Sequence, residues 1–187
     1  MSAHGHVDPS NKKVALLIAI LALVLAFSET LGKGMQTAAL SHNVEASNLW
    51  TFFQAKTIRS TTLRTAAEAL EVEMAQVSRT ESREAMQKRI ADWKATVARY
   101  DSEPETQEGR KELAARAKIA EGRRDRSLAA YHNYELASAA MQIAIVLASA
   151  EIITGVALLI WIAGGLGLVG MVFCALGFFA PTAVHLF

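Results

Sequence analysis

The chain has 187 residues, 52% of them hydrophobic, 20% charged, and a net charge of +1. A near-neutral balance leaves no electrostatic footprint for nucleic acid, and a single cysteine, Cys174, excludes an intrachain disulfide. Every lysine and arginine except Lys12 and Lys13 lies between Lys33 and Arg126, so the ends are apolar and the middle is charged, the layout of a polar domain between membrane anchors.

Residues 1–13 read as a polar tail. Its His4 and His6 form a His-x-His pair that fits a solvated tail better than a metal site. Val14 to Leu31 is apolar apart from Ser28-Glu29-Thr30 and follows Lys12-Lys13. At ~1.5 Å per residue, ~20 residues cross the ~30 Å hydrocarbon core, so 14–33 is expected to span a bilayer. A signal peptide cleaved near Ala26-Phe27-Ser28 is the rival reading. A chain read from Met1 favours an uncleaved anchor.

The segment 34–137 is expected to be a charged helical extramembrane domain. Leu63, Ala67, Leu70, Met74 and Val77 form one apolar stripe at steps of four and three, and Met86, Ile90, Trp93, Val97 and Tyr100 form another. Charged residues lie between them, as in coiled-coil-like helices. Ser78-Arg79-Thr80-Glu81 fits either a helix break or continuous helix. Ser102-Glu103-Pro104-Glu105 predicts a helix start, with Ser102 as cap and Glu105 completing a capping box. The stripe that follows is thin: Leu113, Ala117, Ala120, Leu128 and Tyr131. A helical hairpin or three-helix arrangement results, with neighbouring subunits as cover for the narrow stripes. Trp50, Phe52, Phe53, Gln54 and Lys56 belong to the densest aromatic block. Packing between helices, a partner contact and a lipid-surface contact all fit it.

From Leu136 to Phe187 the one formal charge is Glu151. That stretch is too long for one crossing. Ala163-Gly164-Gly165 is expected to turn the chain between spans at 138–162 and 166–186, with Trp161 near an interface. The fold class is therefore an all-α membrane protein: three transmembrane helices with a long helical hairpin between the first and second. Lys12 and Lys13 favour a cytoplasmic N-terminus, which puts the helical domain on the periplasmic side of a bacterial membrane, although Arg123, Arg124 and Arg126 argue the other way.

Each span carries a row of small residues at steps of four and three. The first is Ala15, Ala19, Ala22, Ala26 and Glu29. The second is Ala144, Ala148, Glu151 and Gly155, led by Ala137 and Ala140. The third is Ala163, Gly167, Gly170, Cys174 and Gly177. Such rows let helix backbones approach closely in lipid, so they are candidate packing seams and predict a homo-oligomer. An acid at bilayer depth costs roughly 2.5–3.5 kcal/mol on insertion scales and so faces protein or water. Glu29 is expected at an interface, paired with Lys33 one turn on. Glu151 reads as the deeper acid, and a hydrogen-bonded structural role and a proton or cation ligand both fit it.

No Gly-rich phosphate loop or Cys/His metal cluster stands out, and no motif marks a nucleophile. The expectation is a protein that is not an enzyme and holds no cofactor. The leading reading is a self-associating scaffold or accessory subunit of a membrane complex. The alternative is a transport or channel-type oligomer using Glu151, with or without Glu29.

The block Leu49-Trp50-Thr51-Phe52-Phe53-Gln54-Ala55-Lys56-Thr57-Ile58-Arg59, placed after a first span and before a charged helical middle, resembles the bacterial membrane proteins grouped as domain of unknown function 4337. The counterparts of the family's aromatic block are Trp50, Phe53, Gln54, Ala55 and Lys56. The resemblance implies a bacterial inner-membrane location and brings no established activity. Family members often carry basic residues between the last two spans, where this chain has Ala163-Gly164-Gly165.

Overall fold

The computed structural model describes residues 9–184, with side chains from Lys12 onward. The histidine pair His4 and His6, His185, and the last two positions of the expected third span lie outside the described residues. Among the described residues four helices follow one another: α1 (Pro9–Met74), α2 (Thr80–Asp101), α3 (Arg110–Thr154) and α4 (Leu158–Phe179). No strand occurs among the described residues. Helices α1, α3 and α4 each hold a stretch long and apolar enough to cross a membrane.

The chain forms two compact units. One combines the part up to Leu40 with the part from Arg123 on; the other is Ser41–Gly122.

In the apolar unit α1, α3 and α4 pack around Val14, Leu21, Met141, Ala144, Ala148 and Ala163, all at most 3% exposed. The buried face of α1 repeats in steps of seven, Val14, Leu21 and Ser28, then Gly32 and Ala39. A seven-residue step keeps a helix seam turned toward its neighbours. Bulky side chains on one helix fill hollows above small residues on another: Leu21 sits on Gly167, Met141 on Gly170, and the Tyr134 ring on Gly177. The opposite faces remain uncovered and apolar, with Leu16, Leu23, Phe27, Ile153, Trp161 and Phe179 between 59% and 87% exposed. A soluble monomer rarely carries an apolar surface of that extent, whereas lipid tails would cover it.

The break before the last helix falls at Gly155–Ala157, not at the expected Ala163-Gly164-Gly165. Gly155 takes φ +66°, and its N–H donates to the Glu151 carbonyl at 2.8 Å. This is an αL cap, which favours glycine because other residues strain at positive φ. Gly164 and Gly165 stay inside α4; glycine permits a turn without compelling one. The expected boundaries 138–162 and 166–186 shift accordingly.

In the charged unit, α1 from Ser41 to Met74 pairs with α2 and with the first turns of α3. The two apolar stripes supply Ala67 and Ile90, 2% and 6% exposed. Ala46 and Leu49 pack on Leu113, Ala117 and Ala120, with Trp50 and Phe53 against them. The Ser78–Glu81 alternative resolves as a break: α1 ends at Met74 and α2 begins at Thr80. The expected helix start at Ser102 is corrected. Ser102 through Gly109 form a connection, and α3 begins at Arg110. Glu112, not Glu105, supplies the carboxylate: it accepts from Ser102 Oγ at 2.7 Å and from the Glu103 N–H at 3.2 Å. Gly109 is buried here, because a Cβ would strike the Glu112 carboxylate, the Glu103 nitrogen and Ser102 Cα.

Candidate functional site

The three small-residue seams meet different fates. On α3, Ala137, Ala144 and Ala148 are fully buried. On α4, Ala163, Gly167, Gly170 and Gly177 are buried and Cys174 is half-buried. These two seams are consumed inside the chain. The first is not: Ala15, Ala19, Ala22, Ala26 and Glu29 are all exposed, one step around α1 from the packed Val14–Leu21–Ser28 face. Glycine hollows on α4 need large knobs, and Leu21 supplies one where an alanine would leave a void. Gly155 belongs to no seam, since it lies beyond the end of α3.

The two acids sit at opposite ends of the apolar unit. Ser28 Oγ donates to the Tyr134 carbonyl at 3.1 Å, and Gln142 Nε2 donates to Glu29 at 3.3 Å. At the other end Val14 and Ala148 belong to one buried cluster, which puts Glu151 toward the start of α1. Glu151 lies ten residues past Met141, about 15 Å at the helical rise, and in the last turn of α3. Glu151 therefore lies close to the end of its helix. A helix C-terminus is the negative end of the backbone dipole, a poor place for a carboxylate. Its Oε2 is nevertheless buried, with no hydrogen-bond partner among the described residues. The expected Glu29–Lys33 pair does not form; Glu29 meets Gln142 instead. Around Glu29 a cleft of about 380 Å³ opens between α1 and α3, floored by Ser28, Gly32 and Tyr134.

The aromatic block folds against its own chain. Trp50 Nε1 donates to Glu121 at 2.8 Å, and its ring meets Phe53 edge-on with centroids 5.4 Å apart. Arg110 stacks over Phe53 at 5.3 Å. Lys56 is only 5% exposed. Its ammonium lies 3.5 Å from Glu103 and 3.8 Å from Glu108, and 5.2 and 5.6 Å from the Phe52 and Tyr100 ring centroids. Two carboxylates and two π-faces thus satisfy a cation that would be costly to bury alone. Gln54 and much of Phe52 remain exposed.

Several organising residues carry no obvious sequence mark. Ser28 is fully buried, although in sequence it only interrupts an apolar run. Asn133 is 1% exposed and donates to the Pro181 carbonyl at 3.0 Å, tying the end of α4 to α3. The Ser102 hydroxyl beside Glu112 holds that carboxyl below the ordinary glutamate value, with the backbone donors and Lys111 adding to the effect and desolvation opposing it. No group of three His, Cys, Asp or Glu residues suited to a metal occurs among the described residues.

The chain belongs to the family described as Domain of unknown function (DUF4337), whose model matches residues 10–180. No curated protein and no solved structure gives a significant match.

Proposed function

We propose that this member of the DUF4337 family is a non-enzymatic, multi-pass protein of the bacterial inner membrane that self-associates as a scaffold or serves as an accessory subunit of a larger membrane complex. Its N-terminus is cytoplasmic and its charged helical segment periplasmic in this reading, following Lys12 and Lys13. The observation that carries the proposal is the exposed row Ala15, Ala19, Ala22 and Ala26 on α1. The matching rows on α3 and α4 are filled from within the chain, and this one is not. Close backbone approach is a main source of helix association in lipid, where burial of apolar surface gives little drive. The long exposed face of α1 in the charged unit, including Ile58 and Val72 at 67% and 66% exposure, favours the same reading.

The test is particle mass in mild detergent, by light scattering or mass photometry, for the full chain and for the double substitution Ala19→Leu with Ala22→Leu. Both positions are exposed, so the monomer's own packing is spared. A smaller particle in the variant supports self-association through α1. A wild-type chain that is monomeric and copurifies with nothing removes the proposal.

A second reading, proton or cation transport, is favoured by the unpartnered buried Oε2 of Glu151. Because Glu29 lies at the far end, a path linking the two acids would need a ring of subunits. Ion flux into reconstituted vesicles, reduced by Glu151→Gln, is its signature; flux absent or indifferent to the substitution rejects it.

A further inference from the structure

The cleft beside Glu29 is a second feature at the membrane level, opening where the small-residue row of α1 ends. Helix α1 carries no charge from Val14 to Ser28, and α3 none from Leu136 to Ala150. The two helices run antiparallel, and their first charges beyond these stretches, Glu29 and Lys33 on one and Glu135 on the other, line the same opening. By composition this is the boundary where hydrocarbon gives way to headgroups.

The walls are polar and of both signs. Glu29 and Glu135 supply two carboxylates, and Lys33 one ammonium. Tyr131, Ser138 and Gln142 add hydroxyls and an amide. Glu135 also contacts His132 Nδ1 at 3.5 Å on its own helix, and Glu29 accepts from Gln142. Lys33 makes no ion pair within 4 Å among the described residues, although Glu29 is one turn away. The floor is shaped rather than incidental: a Cβ on Gly32 would come within 3.3 Å of Tyr134 Cβ, so a small residue there lets α3 approach.

We propose that this cleft is a binding site for the headgroup of phosphatidylethanolamine, with Lys33 taking the phosphate and Glu29 and Glu135 the ammonium. The charge balance selects the class. Two acids against one base disfavour an anionic headgroup, which polybasic clusters recognise. A zwitterion matches both signs. An ethanolamine ammonium has three N–H donors for carboxylate acceptors, whereas a quaternary choline has none and is held by aromatic cages. The volume of about 380 Å³ lies in the range of small-molecule pockets.

The inference rests on the bilayer reading and not on self-association. Carbonate extraction of the chain from membranes would overturn both. Retention of the lipid preference in the Ala19→Leu, Ala22→Leu variant would separate them. The direct experiment is native mass spectrometry of the full chain in mild detergent, offered phosphatidylethanolamine, phosphatidylcholine and phosphatidylglycerol with identical acyl chains in equal amounts. The expected result is roughly tenfold more phosphatidylethanolamine adduct than either rival, as for one additional charge-assisted bond. Equal retention, or preference for either rival, overturns the proposal. Lys33→Gln and Glu29→Gln should each erase the preference; both side chains are exposed, and helicity by circular dichroism checks that the bundle persists. A preference that survives in both folded variants overturns the assignment to this cleft.

Discussion

Met141 rests on Gly170 so closely that a Cβ at the glycine would lie 2.8 Å from Met141 Cε and 3.1 Å from the Ala137 carbonyl oxygen. The methionine end can move, but the carbonyl belongs to a neighbouring helix backbone. Gly170→Ala is therefore expected to push α4 off α3 and cost about 1–3 kcal/mol, the usual range for overpacking. Ala19→Leu, on the exposed seam, should leave monomer unfolding unchanged. Thermal unfolding of each variant against the wild-type chain, in detergent that keeps all three monomeric, checks the contrast; a Gly170→Ala melting temperature equal to wild type would mean that α4 does not pack as described.

Gly155 and Glu151 make a paired prediction at the end of α3. Gly155→Ala places a side chain at φ +66° and should destabilise the helix junction by about 1–2 kcal/mol. Glu151→Ala removes an acid from the negative end of a helix and an unpartnered buried oxygen. It should raise stability by about 0.3–1 kcal/mol. A fall in stability instead would reveal a partner for the carboxylate and strengthen the ion-ligand reading.

Lys56 is the buried cation of the charged unit, and its truncation leaves Glu103 and Glu108 without their shared counter-ion. Lys56→Ala is expected to cost about 2–3 kcal/mol, less than a fully buried pair because the glutamates reach solvent. Lys56→Met should recover part of this by keeping the stem between the Phe52 and Tyr100 rings. Hydrogen exchange of amides 46–60 in the full-length protein reads both effects, and exchange indifferent to Lys56→Ala would show that the cage adds nothing.

Glu112 gives a pH dependence of definite sign. Its folded value is lowered, so its contribution is complete above the unfolded glutamate value and is lost as pH falls through the lower folded one. Protease cutting within 102–109 should therefore increase on acidification in that window. Glu112→Gln should cut readily even at neutral pH and lose the dependence. Gly109→Ala should open the same connection at every pH, since the space for its Cβ is occupied by Glu112, Glu103 and Ser102.

How much of this was legible in the sequence depends on which interactions are local. The apolar runs, their charged middle and the Trp50–Lys56 block are properties of contiguous residues, so the all-helical class, the three long apolar helices and the family membership followed from them. Local sequence does not locate the helix break, because Gly155, Gly164 and Gly165 offer the same backbone freedom, and only the geometry after Glu151 decides which is used. Nor does it locate the start of α3, because Glu105 and Glu112 can both act as capping acids, and the fold of residues 102–109 selects Glu112.

Spacing alone determined that three helices carry rows of small residues. It could not say which rows would be used, because a small residue packs only where a neighbour supplies a knob. Leu21, Met141 and Tyr134 supply those knobs for Gly167, Gly170 and Gly177, which buries the α4 seam. The α3 alanines are buried in the same core, and the α1 row is left facing outward. The sequence also placed Glu29 and Glu151 in apolar runs. Their separation to opposite ends comes from the antiparallel pairing of α1 and α3, a relation between residues more than a hundred positions apart that no local pattern encodes.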